Sequence, residues 1–169
     1  MKKYIIIILL LMPIFCNAQS TDQLEFSSIS FNPVSAYTGS SGVGGAVGGD
    51  LALSYRKNIF LISGYFGEGI SFFSSYEDSF SELSLSWGRA HPFNDWLQIE
   101  GFVGAGYFYF KNRNINLEGA EKDKTVGFPL FTKLKFMIAT NFSIGIQVRV
   151  NINSIQTITS FGPYLQLDF

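Results

Sequence analysis

Large apolar residues alternate with small or polar residues along most of the chain, and this alternation restricts the possible folds more than any other feature. Between positions 142 and 153 the even positions are Phe, Ile, Ile, Val, Val and Ile, whereas the odd positions are Ser, Gly, Gln, Arg, Asn and Asn. Successive side chains of a β-strand point to opposite faces, and no helix has a period of two. The segment 43–56 alternates in the same way, so both segments are predicted to be strands with one apolar face.

The same pattern predicts eight strands, near 25–37, 43–56, 59–67, 79–89, 95–110, 124–137, 141–154 and 158–169. Helices are not expected, because Gly, Ser, β-branched and aromatic residues fill these windows and capping signals are absent. The facing of the first and third strands stays open. Both parities of 24–37 mix apolar and polar residues, and positions 59–62 are all apolar.

The direction of the alternation separates two kinds of antiparallel barrel. The apolar face carries mostly large side chains: Leu83, Leu85, Trp87, Leu97, Ile99, Val103, Tyr107, Leu130, Leu134, Phe136, Ile144, Ile146, Val148, Leu165 and Leu167. The opposite face carries Gly, Ala, Ser, Asn and charged residues. Eight strands enclose only a narrow interior, so large groups are expected outside, against lipid. A lipocalin-like calyx or another soluble barrel would bury the large groups, and is the alternative.

The connections between the predicted strands differ in length. Those at 57–58, 90–94 and 139–140 are short, whereas 67–78 and 111–123 are long and polar or charged. In a transmembrane β-barrel the short turns face the periplasm and the longer loops face the outside. Segments 67–78 and 111–123 are therefore predicted surface loops that could bind a surface ligand, and an even number of strands leaves both termini on the periplasmic side.

Aromatic residues cluster near both sets of connections, as expected of the two interfacial girdles of a membrane barrel. The predicted inner girdle is Phe60, Trp87, Phe93, Trp96, Phe136 and Phe142, and the predicted outer girdle is Tyr65, Phe66, Phe72, Phe73, Tyr76, Tyr107 and Tyr109.

The first residues have the features of a secretory signal. Lys2 and Lys3 precede an apolar run at 4–15, and Cys16, Asn17 and Ala18 provide a small-residue cleavage site. We predict a signal peptide at 1–18 and one barrel domain at 19–169. A permanent anchor helix is less favoured, because the run is shorter than the roughly 20 residues a membrane-spanning helix needs. Lipoprotein processing at Cys16 is also less favoured. Cleavage would remove the only cysteine.

The end of the chain looks like the assembly signal of outer-membrane proteins, with a polar residue, a glycine, two spaced hydrophobic residues and a terminal aromatic: Ser160, Gly162, Leu165, Leu167 and Phe169. With the signal peptide and the strand number, the chain resembles the small eight-stranded outer-membrane barrels of Gram-negative bacteria, of the OmpA/OmpX type. The resemblance implies insertion by the barrel-assembly machinery and a location among outer-membrane lipids. Pro129 and Pro163 depart from it, since proline cannot donate to a ladder, and Pro163 is expected near the outer end or at a bulge.

The candidate chemistry is sparse. His91 is the only histidine, and it lies in a predicted periplasmic turn beside aromatic residues. Some barrels that resemble this chain are lipid A deacylases or acyltransferases, but their catalytic groups lie toward the outer leaflet, at the other end. No catalytic, cofactor or metal site is predicted, because the loop acids lack EF-hand spacing and no Cys ligand remains. Nucleic acid is not an expected partner of a mildly acidic chain without a basic cluster.

The strongest candidate site is a set of charges on the polar face: Asp50, Glu82, Glu100, Lys133, Lys135 and Arg149, with Arg56 and Asp168 nearer the periplasmic end. A charge without a partner in a confined space is costly, so each is expected to find one. We interpret the set as a structural plug that closes the lumen of a monomeric barrel, and a gated ion pathway is the alternative. The predicted function is a membrane scaffold or surface-interaction protein, with a lipid A-modifying enzyme or a small-solute channel as alternatives.

Overall fold

The chain folds into one closed antiparallel β-barrel. The computed structural model describes residues 23–39, 42–69, 76–114 and 120–169. Its eight strands are β1 (Glu25–Gly39), β2 (Gly42–Tyr55), β3 (Asn58–Gly69), β4 (Tyr76–Pro92), β5 (Leu97–Asn114), β6 (Ala120–Ala139), β7 (Phe142–Asn153) and β8 (Ile158–Asp168). Each strand pairs with its neighbours in sequence, and β1 also pairs with β8. The predicted eight-stranded up-and-down barrel is confirmed.

The predicted signal peptide at 1–18 lies outside the described residues and stays a prediction. Within the described ranges, the chain forms no helix long and apolar enough to cross a membrane.

The prediction that 67–78 and 111–123 are loops is wrong at both ends of each segment, where the strands continue. β3 continues to Gly69, β4 begins at Tyr76, and β5 and β6 leave only 115–119 between them. Lys111 pairs with Lys122 in the β5–β6 ladder. A polar stretch satisfies its backbone groups as well in a ladder as in a loop, so polarity alone does not end a strand. β4, β5 and β6 have 17, 18 and 20 residues, well beyond the roughly 9–11 that cross a bilayer.

The large apolar side chains face outward, as predicted. Leu85, Ile146 and Leu167 are 66%, 39% and 47% exposed, respectively, and Leu83, Val103 and Leu130 are exposed as well. Their neighbours along each strand point into the lumen and are buried, including Ser84, Gln147 and Gln166. The barrel therefore carries an apolar belt on its outside and polar groups within.

A bulge in β1 explains why its facing could not be predicted. Asn32 pairs with Gly48 and Ser35 with Ala46, so β1 holds one extra residue against β2 there. The inward residues are even-numbered from Ser28 to Asn32 and odd-numbered from Ser35 onward, and a second irregularity, between Phe26 and Ser28, leaves Phe26 facing outward. A bulge inserts one residue and thereby reverses the phase of a strand.

Pro163 lies opposite this bulge on β8, as expected. The β1–β8 ladder pairs Phe31 with Leu165 and then resumes at Ala36 and Phe161. Pro33, inside the interruption, also lacks an N–H, so both prolines lie where no donor is needed. Pro129 likewise does not end β6, which runs through it and pairs it with Asn151 of β7.

Candidate functional site in the barrel lumen

Arg149 of β7 crosses the lumen to Glu82 of β4. Its Nη2 forms an ion pair with Glu82 Oε1 and donates to Ser84 Oγ at 3.1 Å. The second carboxylate oxygen, Oε2, accepts from Asn151 Nδ2 at 2.7 Å. Both charged side chains are almost fully buried. The guanidinium carbon also lies 4.5 Å from the centre of the Phe131 ring, a distance at which a cation is attracted to an aromatic face.

A second ion pair joins β6 to β2. Lys133 Nζ lies 2.6 Å from Asp50 Oδ2 and donates to Ser30 Oγ of β1 at 2.9 Å. Ser30 Oγ in turn donates to the same Asp50 oxygen at 2.8 Å. Lys133 Nζ is also 5.0 Å from the centre of the Tyr164 ring. This closed triangle of contacts holds three strands together in a water-poor interior, where such interactions are strongest.

A third ion pair lies nearer the end with the short turns. Lys135 Nζ is 2.6 Å from Asp168 Oδ1, and Asp168 also accepts from Ser143 Oγ at 2.5 Å and Gln166 Nε2 at 2.7 Å. The Asp168 side chain is 24% exposed, against 4% for Asp50. This pair is therefore the more hydrated one, and its ions attract each other less strongly.

Glu100 departs from the expectation that each charge on the polar face finds a partner. It lies opposite Lys133 in the β5–β6 ladder. The Lys133 ammonium, however, reaches across to Asp50, and Glu100 Oε1 instead accepts from Gln98 Nε2 at 2.8 Å. Among the described residues no cation lies within ion-pair distance of Glu100. It borders a cavity of about 170 Å³ at the short-turn end, together with Lys135 and Gln166.

Arg56 lies outside the lumen network. It occupies the turn between β2 and β3 in a left-handed conformation with φ of 56°, and its guanidinium carbon is 5.3 Å from the Tyr55 ring centre. The prediction that it lies near the end with the short turns agrees with this position.

The lumen also contains large aromatic residues, which the sequence analysis missed. One cluster comprises Tyr37, Ala46, Tyr65, Phe80, Phe108, Phe110 and Ile158. A second comprises Ala52, Leu61, Phe102 and Phe131. The assignment of Tyr65 to the outer girdle is wrong, because its ring points inward and is 4% exposed. The sequence did contain a sign that these rings face the lumen. Phe102 and Phe108 occupy even positions of β5, as does Glu100 of the polar face.

Lumen glycines make room for these rings. A Cβ on Gly67 would overlap the Phe80 ring, and a Cβ on Gly145 would overlap the Tyr164 ring. Each glycine thus lets a ring from the adjacent strand lie flat against the backbone. Aromatic side chains therefore occupy the interior at these levels, in keeping with the side-chain-filled interior of eight-stranded barrels.

Four residues of the candidate assembly signal lie on β8 with alternating facing, and the fifth, Phe169, directly follows the strand. Ser160 and Gly162 face the lumen, whereas Leu165 and Leu167 face outward at 44% and 47% exposure. Phe169 is exposed and its ring centre lies 5.1 Å from that of Phe26 on β1. These positions fit the outward parity that the sequence indicated.

His91 lies at the end of β4, exposed, with its ring edge-on to Phe93 at 5.4 Å between centres. No hydrogen bond or ion pair joins its side chain to another described residue. Within the described ranges, no group of three or more His, Cys, Asp or Glu side chains is arranged to hold a metal ion.

Several solved structures have the same fold at low sequence identity. The attachment invasion locus protein Ail of Yersinia pestis is 14% identical with a TM-score of 0.58, covering 85% of this chain and 97% of that one. Neisserial surface protein A (NspA) is 11% identical with a TM-score of 0.62, covering 88% and 100%, respectively. The N-terminal β-barrel domain of Pseudomonas aeruginosa OprF is 13% identical with a TM-score of 0.54, covering 86% and 100%.

At these identities the similarity establishes the fold, that of the small eight-stranded outer-membrane barrels. No protein-family model matches the chain, and no curated protein sequence matches it significantly.

Proposed function

We propose that this chain is an integral outer-membrane β-barrel protein that works without catalysis, as a membrane scaffold or as a surface-interaction protein. The observation that carries the proposal is the inversion of polarity: ion pairs lie inside the barrel and a continuous belt of Leu, Ile, Val and Phe lies outside. Such a belt greatly exceeds the apolar patches that soluble monomers expose, and matches the hydrocarbon-facing band of a membrane barrel.

The surface-interaction part of the proposal rests on the end of the barrel opposite the chain termini. There β5 and β6 continue their ladder from Gly106 and Gly127 to Arg113 and Ala120. These segments extend beyond the pairing of β6 with β7, which ends at Gly127 and Asn153. β4 runs beside β5 to the same end and pairs Tyr76 with Asn114. These protruding strands offer a rigid surface for recognition outside the membrane. The name of one structural neighbour, an attachment invasion locus protein, is in keeping with this role.

A closed lumen is preferred to a channel. The Arg149–Glu82 and Lys133–Asp50 pairs span the interior, and aromatic clusters pack next to them. An ion crossing the barrel would have to break these buried pairs. Planar bilayers with the purified protein should therefore show no large, persistent conductance, and steady single-channel steps would favour the channel.

The C-terminal residues are proposed to direct assembly. Ser160, Gly162, Leu165, Leu167 and Phe169 combine the spacing of the outer-membrane signal with the alternating facing seen on β8. The partner would be the barrel-assembly machinery, acting on the strand before the barrel closes.

Two experiments test the membrane placement. The outer-membrane fraction should contain the protein in a form whose electrophoretic mobility changes on boiling. Because Cys16 is the only cysteine and lies in the predicted signal peptide, single cysteines can be introduced at Lys122, on the protruding strand, and at Lys57, in a short turn. An impermeant maleimide added to intact cells should label Lys122→Cys and spare Lys57→Cys. Recovery of the protein in a soluble fraction, or the reverse labelling, would contradict the proposal.

A further inference from the structure

A groove crosses the outer wall of the barrel. Its volume is about 520 Å³, and it lies over β1 to β5 in the half away from the termini. Its lining includes the larger side chains of Val47, Phe66 and Tyr109 and the small residues Gly45, Ser79 and Ser81. A Cβ built on Gly45 meets nothing within 4 Å, so the space above this residue is open.

A basic cluster borders the groove. Lys111 is the ladder partner of the groove residue Ser79, Lys111 in turn pairs with Lys122, and the groove residue Tyr109 pairs with Lys124. Ladder partners share a face, so all three lysines point outward on the same wall as the groove. Lys122 and Lys124 are exposed, and Lys111 is partly exposed.

Like charges lie next to one another on this face. Lys111 and Lys122 lie directly opposite each other, an arrangement of like charges that destabilises a sheet. No ion pair joins any of the three lysines to another described side chain. Glu68 of β3 lines the groove and lies in the same cross-strand row as Lys111, with Ser79 of β4 between them. Asp123 has the opposite parity from Lys122 and Lys124 and points to the other face of β6.

We propose that the groove and the basic cluster together bind one membrane lipid with an anionic headgroup, the acyl chain in the groove and the headgroup phosphate on Lys111, Lys122 and Lys124. This inference rests on the proposed membrane location. The groove continues the apolar belt at Val47 and Phe66, which favours a lipid over a soluble anion. The lysines lie where β6 extends past the end of β7, next to Tyr107 and Tyr109, the side-chain types that mark the headgroup level.

Native mass spectrometry of the folded protein in zwitterionic micelles tests the inference. Dioleoyl phosphatidylglycerol and dioleoyl phosphatidylcholine have the same chains and differ in charge. One phosphatidylglycerol should stay bound per barrel, and phosphatidylcholine should bind several-fold more weakly. Lys122→Gln and Lys124→Gln should each weaken phosphatidylglycerol binding roughly fivefold and leave phosphatidylcholine unchanged.

A second set of variants in the same experiment tests whether the acyl chain lies in the groove. Gly45→Phe should weaken both lipids, because its ring takes the place of the acyl chain. Gly101→Phe is the matched control, since Gly101 also faces open space on the outer wall but lies outside the groove. Lys57→Gln is the control for lost charge. Both controls should bind lipid like the unmodified protein.

Three results would overturn the inference: equal affinity for the two lipids, equal effects of Gly45→Phe and Gly101→Phe, or displacement by free glycerol phosphate at the lipid's own concentration. The last would indicate a site for soluble anions. A protein that changes mobility on boiling and inserts into bilayers but shows no lipid preference refutes only this inference. A protein that does not insert at all refutes the proposed function.

Discussion

Removing the Arg149 side chain is expected to destabilise the barrel strongly, because it leaves Glu82 buried without a cation. Arg149→Met keeps most of the side-chain volume, so the change is mainly electrostatic. Glu82 would keep only the hydrogen bond from Asn151 at 2.7 Å. Breaking a buried ion pair from one side costs about 3–5 kcal/mol. With a denaturant slope of about 2 kcal/mol/M, the urea midpoint of the folded protein should fall by roughly 2 M.

A double-mutant cycle separates the ion pair from general damage. Glu82→Gln alone should also destabilise the barrel, since it leaves the guanidinium buried without its anion. Arg149→Met with Glu82→Gln should be less destabilised than the sum of the two, by about 2 kcal/mol. The exposed turn residue Lys57, replaced by Met, should change the free energy of unfolding by less than about 0.5 kcal/mol. Strict additivity, or an unchanged midpoint for Arg149→Met, would refute a structural role for the pair.

Three further predictions concern the other two ion pairs, a lumen glycine and the C-terminal residue. Lys133→Met should lower the urea midpoint more than Lys135→Met, because the Asp50 side chain is 4% exposed and the Asp168 side chain 24%; equal shifts would contradict the importance of burial. Gly145→Ala should lower the free energy of unfolding by about 1–3 kcal/mol through overlap with the lumen packing, whereas Gly101→Ala, which meets open space, should not; a urea titration that ranks them equally would argue against crowding. Phe169→Ala should reduce the amount of barrel in the outer membrane of cells without slowing refolding of the purified protein into micelles. A parallel loss in both assays would indicate a stabilising residue and not an assembly signal.

Strand positions and the facing of most strands could be predicted from the sequence because both depend on one local property, the two-residue period. Leu85 and Ile146 face outward for the reason the sequence indicated. The facing of β1 could not be predicted, since the extra residue beside Pro33 reverses its phase within the strand. Such an insertion becomes visible only when the partner strands are known.

The ion-pair partners of the lumen charges could not be predicted from the sequence for a related reason. Parity identifies which residues enter the lumen, but the contact between Lys133 and Asp50 crosses the interior between strands that are not neighbours. The ladder alone would have favoured Glu100 for Lys133. The same limit applies to Tyr65, whose ring packs inward because Gly48 of the adjacent strand leaves it space.

The bulge of β1 that contains Pro33 affects which pair of strands opens first when the barrel unfolds locally. β1 and β8 hold each other through two short stretches, Ser28–Phe31 and Ala36–Thr38, with a break between them. Fewer hydrogen bonds must open along this joint than along the uninterrupted β4–β5 ladder. We expect backbone amides of β1 and β8 to exchange with deuterium before those of β4 and β5. The barrel would then open first between its N-terminal and C-terminal strands.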